Sequence, residues 1–364
     1  TAINERTKRI MAYTTVNNGS LFMNPKLYTG NGSTQTISGV GFSAGLTWIK
    51  GRDAGGESHR WTDIIRGSGY NIKSNGSEIQ FAVPNGIQSW NSDGFITGAD
   101  DAFNKNTKNF VAWSWKTGTA VSGSTTGSGT AKTYTGSVNT TSGFSIIKYT
   151  GNGTNGMTIP HHLGAVPKMI IVKRLDGSGN WNWQVYHASL GATKYLMLNM
   201  NNFAGTSSSR WYDVEPTSSV FTLGNDTDVN VNDATFISYN FSEIPGYSKM
   251  GIYTGNGSTD GNFIYTGFRP SWIMIKRITD GAEAWVMFDS KRANSFNGVT
   301  GILKPNLSEA ETTQGAGPSM DFLSNGIKLT NTDGTFNNSA KEFIYMAFAE
   351  APLVGTNNIP ANAR

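Results

Sequence analysis

The apolar residues of this chain fall in short bursts separated by Gly, Asn, Ser, Thr and Asp. LTWIK at 46–50, MIIVK at 169–173 and WIMIK at 272–276 are apolar runs that end in lysine, and each is followed by turn-forming residues. A second set alternates large and small side chains: FVAWSWK at 110–116, FISYNFSE at 236–243 and FIYMAFAE at 343–350. Both patterns predict strands, the second with one face packed inward. No stretch sustains an apolar period of 3.6, so helices are expected only as single turns, and residues 283–292 are read as strand. The chain is predicted to be all-β.

These elements recur in a fixed order. Tyr-Thr-Gly-Asn-Gly followed by Ser or Thr stands at 28–33, 149–154 and 253–258. After each copy come the lysine-ended run, a tryptophan (Trp61, Trp183, Trp285), a Ser-x-x-apolar turn and the aromatic closing strand. Trp48 and Trp272 are read as a second recurring position, beside the first strand, and Trp113 and Trp115 as the inner face of a closing strand. A repeat of this length, with short strands and frequent turn signals, predicts three tandem antiparallel β-sandwich units of jelly-roll type. The expected boundaries are an arm at 1–25, a first unit at 26–117, a Gly/Ser/Thr-rich linker at 118–142, a second unit at 143–245 and a third at 246–364 with the C-terminal tail. Residues 244–251 are too short for a free tether, so the second and third units are expected to pack together.

Composition narrows the partners. The chain has 44 Gly, no Cys and a net charge of +4 carried by scattered Lys and Arg, so disulfides and cysteine-based sites are ruled out and nucleic-acid binding is not indicated. Its longest apolar runs are far shorter than a membrane-spanning helix needs, and no membrane insertion is expected.

Candidate chemistry is sparse. Of the four histidines, His161 and His162 are adjacent on an extended segment and point to opposite faces, which does not suit one metal ion. The pair Glu309 and Glu311 reads as a solvated loop, and Asp63, Asp100 and Asp101 as isolated acids, so the paired carboxylates of a glycosidase are not found. No catalytic residue and no cofactor are assigned. Calcium at Asp226, Asp228 and Asn230 is the alternative to an ordinary Asx-rich turn, because their oxygens alternate as in the start of a calcium loop, although the central glycine and the final glutamate are missing. Trp90, Trp181 and Trp211 have no counterparts in the other repeats and sit in polar surroundings; they are the candidate ligand contacts.

With the repeat in place, the chain resembles uncharacterised tandem-repeat structural proteins of tailed bacteriophages, marine ones in particular. The resemblance rests on YTGNGS, on the lysine-ended strand, on VYHASLGATKYL at 185–196, FIYTGFRPSWIMIKR at 263–277 and FIYMAFAEAPL at 343–353, and it covers residues 12–355. It implies a virion protein with lectin-like or concanavalin A-like sandwiches, and it brings no catalytic residues. Two functions follow as expectations: a tail-fibre or tail-associated adhesin that binds a host-surface glycan or receptor, and a capsid-bound decoration or head-fibre protein. A polysaccharide-acting hydrolase is the third. Other virion proteins are the expected partners, and a homo-oligomer is expected.

Overall fold

The computed structural model describes residues 13–53, 56–293, 295–313, 315 and 317–354. Residues 1–12 of the expected arm and 355–364 of the tail lie outside these. The fold is all-β; among the described residues every pairing is antiparallel and helix is confined to single turns such as Asp101–Asn104, Ser208–Trp211 and Gly334–Asn337.

Four strands recur in each repeat. A lead strand (Met23–Thr29, Phe144–Thr150, Ser248–Thr254) pairs with the closing strand (Asn109–Trp115, Thr235–Ser242, Glu342–Pro352). The closing strand pairs with the lysine strand (Leu46–Gly51, Pro167–Arg174, Phe268–Arg277), which pairs with a short joint strand (Arg60–Asp63, Gln184–His187, Val286–Asp289). Residues 283–292 thus hold a short strand and a 3-10 turn, Ser290–Arg292. A smaller sheet covers one face of each large one.

The apolar runs of the lysine strands are buried throughout because both of their faces are covered, and only Lys168 and Arg269, ahead of the runs, reach solvent. A sheet packed on both sides selects continuous apolar runs over alternation. One face of Leu46–Gly51 packs into the first repeat's sandwich, with Ile37, Phe42, Phe95, Phe103 and Phe110. The other face meets the remaining repeats in a single shared core. There Trp61 lies 5.1 Å from Trp183, Trp115 lies 5.5 Å from Trp272, and Phe241 lies 5.9 Å from Phe348.

Strand register corrects two alignments. Counting back from Lys50, Lys173 and Lys276, Trp48 is two residues before its lysine and Trp272 is four before, so they are not equivalent. His59, Trp183 and Trp285 are the true counterparts, each with its backbone N–H donated to an asparagine side chain (Asn75, Asn199, Asn306). Trp61 instead matches Val185 and Met287.

The expected linker is also structured. Thr119–Ser124 and Thr133–Asn139 form a hairpin on the outer edge of the second lead strand, and Thr126–Gly127 joins the second small sheet. Its Thr, Val and Tyr residues favour strand, and Tyr134 and Val121 pack on the second sandwich core. In the other two repeats the lead strand stays at the edge, where Pro25, Lys26 and Lys249 suit an exposed border.

Candidate functional site

The repeated phrase YTGNGS is explained by what it holds. Its Tyr hydroxyl donates to a backbone carbonyl in the turn before the closing strand: Tyr28 to Phe103 at 2.6 Å, Tyr149 to Val229 at 2.7 Å, Tyr253 to Phe336 at 2.6 Å. The same rings stack on Phe110, Phe236 and Phe343. A buried asparagine next along that turn (Asn104, Asn230, Asn337) accepts the N–H of the motif's own asparagine and donates into the loop. The first glycine of each phrase faces a backbone carbonyl at 2.2–2.4 Å from any added Cβ, and the second has φ between +66° and +69°. Neither position accepts a side chain.

These contacts argue against the calcium reading. Asn230 is the clamp of the second repeat, with both its oxygen and its amide committed to Asn152, Gly153, Thr154 and Gly224. Asp226 pairs with Arg210 and accepts the Asp228 N–H. Asp228 is buried and accepts from the Asn182 N–H and the Gln184 amide, and burial raises its carboxyl above the usual range. A guanidinium among these carboxylates opposes a second cation. Among the described residues no group of His, Asp and Glu has the arrangement of a metal site.

The three candidate tryptophans do not meet. Trp211 is 2% exposed and packs edge-on against Tyr186, so its faces are closed to a ligand. Trp181 carries the Arg174 guanidinium 4.1 Å from its ring centre and donates its backbone N–H to Ser77 of the first repeat, which makes it a filler of that joint. Trp90 is half-buried and donates its indole N–H to Thr47 at 3.1 Å. Trp90 and Trp211 serve packing within their own repeats, and Trp181 the joint between the first two.

Of the acids read as isolated or solvated, Asp63 and Glu311 are built in, while Glu309 and Asp101 are exposed and pair with Lys304 and Lys105. Asp63 is buried against Arg66 at 2.6 Å, and Asp289 against Arg292 at the same distance. Glu311 is bound by Arg52 of the first repeat at 2.8 Å and by Arg292 at 3.0 Å. Asp100 caps the turn Asp101–Asn104. His161 is buried and pushed down to about 4 by burial, its Nδ1 accepting the Leu163 N–H; His162 contacts the Tyr134 hydroxyl.

An open groove lies elsewhere, where the chain leading into the first repeat meets the connection between the second and third. Two adjoining hollows of about 400 and 440 Å³ share Tyr13 and Pro245. One is lined by Val166, Lys168, Glu243, Lys249 and Tyr265, the other by Thr14, Thr15, Thr140, Thr141 and Ile244. Tyr265 is 53% exposed and Tyr13 40%. Their hydroxyls share a hydrogen bond, and burial and this neighbour hold the Tyr13 phenol above its usual range. No sequence signal marks this groove, because its walls come from residues 13–15, 140–141, 165–168, 243–249 and 265–266.

The family model for a domain of unknown function, DUF7483, matches residues 18–352. The chain belongs to this family. The match runs unbroken across all three repeats and the hairpin between the first two, in keeping with the shared core. No curated protein matches the chain.

Proposed function

We propose that this DUF7483 protein is a non-catalytic glycan-binding adhesin on the surface of a bacteriophage particle, associated with the tail. The groove on Tyr13 and Tyr265 carries the binding reading. Exposed aromatic faces stack on sugar rings, and the threonine, serine and tyrosine hydroxyls around them match sugar hydroxyls. Among the described lining residues Glu243 is the sole carboxylate, and hydrolysis by paired acids needs a second. That supports binding without cleavage. The virion location rests on the sequence resemblance.

A capsid decoration protein is the second reading, favoured by the core shared among all three repeats, which makes a rigid block suited to a structural place. Glycan-array binding by the whole chain, with Tyr265→Ala as control, tests the adhesin. Immunogold labelling of purified particles separates the two: label at the tail supports the adhesin, label over the head supports decoration, and unlabelled particles sink both.

A further inference from the structure

We propose that the groove takes an acidic polysaccharide, a polymer of carboxylated sugars, and that Lys168 and Lys249 read its charge. This rests on the binding reading above and names the ligand class for it.

Lys168 stands on the second repeat's lysine strand, just before its apolar run, and Lys249 on the third repeat's lead strand; both line the hollow beside Tyr265. Among the described residues neither is in an ion pair. Lys73, Lys132, Lys304 and Lys328 are neutralised by Glu78, Asp233, Glu309 and Asp260, whereas among the described residues Lys148, Lys194 and Lys291 stand singly on the surface; Lys168 and Lys249 differ from those in lining one hollow together, beside an exposed tyrosine. The one carboxylate in the same wall, Glu243, has an oxygen occupied by the Met250 N–H at 2.7 Å. Two ammonium groups therefore face one carboxylate, and an anionic ligand supplies the missing charge.

The division of labour follows from exposure. Both lysines are half-exposed, so each contact with a carboxylate contributes modestly and is screened by salt. Stacking on Tyr265 holds the sugar ring, while the lysines choose the charged polymer over the neutral one.

Affinity electrophoresis of the whole chain through gels containing polygalacturonate or neutral dextran tests this. Retardation by polygalacturonate exceeding that by dextran and fading as salt rises is expected. Lys168→Gln with Lys249→Gln should weaken polygalacturonate binding about tenfold and leave the melting temperature unchanged, the sum of two exposed charge contacts. Tyr265→Ala should weaken it as well. Equal retardation by dextran, indifferent to the lysine changes but lost in Tyr265→Ala, overturns the acidic ligand and keeps the binding site. Polygalacturonate binding that persists in the double variant overturns the assignment of the lysines. Retardation by neither polymer, with no effect of Tyr265→Ala in the glycan array, overturns both readings.

Discussion

Tyr239 donates its phenolic proton to the carboxylate of Asp63 at 2.8 Å, tying the second repeat's closing strand to the buried ion pair of the first. The contact is one of a cycle. At the equivalent place Trp113 of the first repeat donates to Asp289 of the third at 2.9 Å, and His187 of the second meets the Tyr345 carbonyl of the third at 3.2 Å. Across the same three joints, Trp183 donates to the Lys73 carbonyl, Trp285 to the Met197 carbonyl, and His59 faces the Lys304 backbone. His59 accepts the Trp48 indole N–H on Nδ1, so its neutral ring carries the proton on Nε2, toward Lys304. The three repeats close on one another in a ring.

Asp63→Asn is expected to cost far more than Tyr239→Phe. The first leaves the fully buried Arg66 guanidinium without its counter-charge, a loss of about 3–5 kcal/mol, while the second removes one donor and costs about 1–3 kcal/mol. Urea unfolding of the two variants checks the order. Equal losses would show that Arg66 finds another partner.

The all-β class, the threefold recurrence of the phrases and the inward tryptophans were legible because they follow from local patterns: alternation, turn residues and identical words. The ring was not, since its contacts join residues as far apart as Lys50 and Ser308. His59 hid for a second reason. A histidine replaces a tryptophan there, while Trp61, two residues on, copies the expected letter on the same face of the strand. The hairpin at 119–139 was masked by its Gly and Ser content, although its Thr, Val and Tyr residues carry strand preference. The groove gave no signal in sequence because its walls come from five separated segments.

Stability should rise with pH across the neutral-to-alkaline range. Burial pushes Lys173 and Lys276 down to about 7 and Lys50 to about 8, from an ordinary 10.5. Each Nζ bonds two carbonyls, one of them in a neighbouring repeat: Ser308 for Lys50, Ser77 for Lys173, Asn201 for Lys276. A neutral amine has two N–H bonds and can serve both. From pH 7 to 10.5 the unfolded chain then holds more protons on Lys173 and Lys276 than the folded one, so unfolding becomes harder as pH rises and easier as it falls toward 7. Thermal melts across that window should show the slope, and Lys276→Met should flatten it while lowering stability by orphaning two carbonyls. A slope identical in the variant would remove Lys276 from the account.

The asparagine clamp should be indispensable and indifferent to calcium. Asn230→Ala strands the Asn152 and Gly153 N–H groups and the Thr154 carbonyl of the second repeated loop, together with the Gly224 carbonyl, a loss of about 3 kcal/mol or more. Asn230→Asp keeps the acceptor but turns an oxygen toward the Thr154 and Gly224 carbonyls, so it should also destabilise. Neither the parent protein nor either variant should melt higher in excess calcium. A calcium-dependent rise in the parent would restore the ion site at Asp226 and Asp228.

A chain of independent beads would melt in steps; this one should not. The central core takes Trp48, Trp61 and Trp115 from the first repeat, Trp183 and Phe241 from the second, and Trp272 and Phe348 from the third, so no repeat can unfold without exposing aromatic surface on its neighbours. One cooperative transition is therefore expected, with tryptophan fluorescence and far-ultraviolet circular dichroism coinciding. Trp183→Phe keeps most of the apolar volume but leaves the Lys73 carbonyl without its donor, and it should shift that single transition down by about 1–3 kcal/mol without splitting it. Two resolved transitions in the parent would mean that the joints are weaker than their buried hydrogen bonds and ring contacts imply.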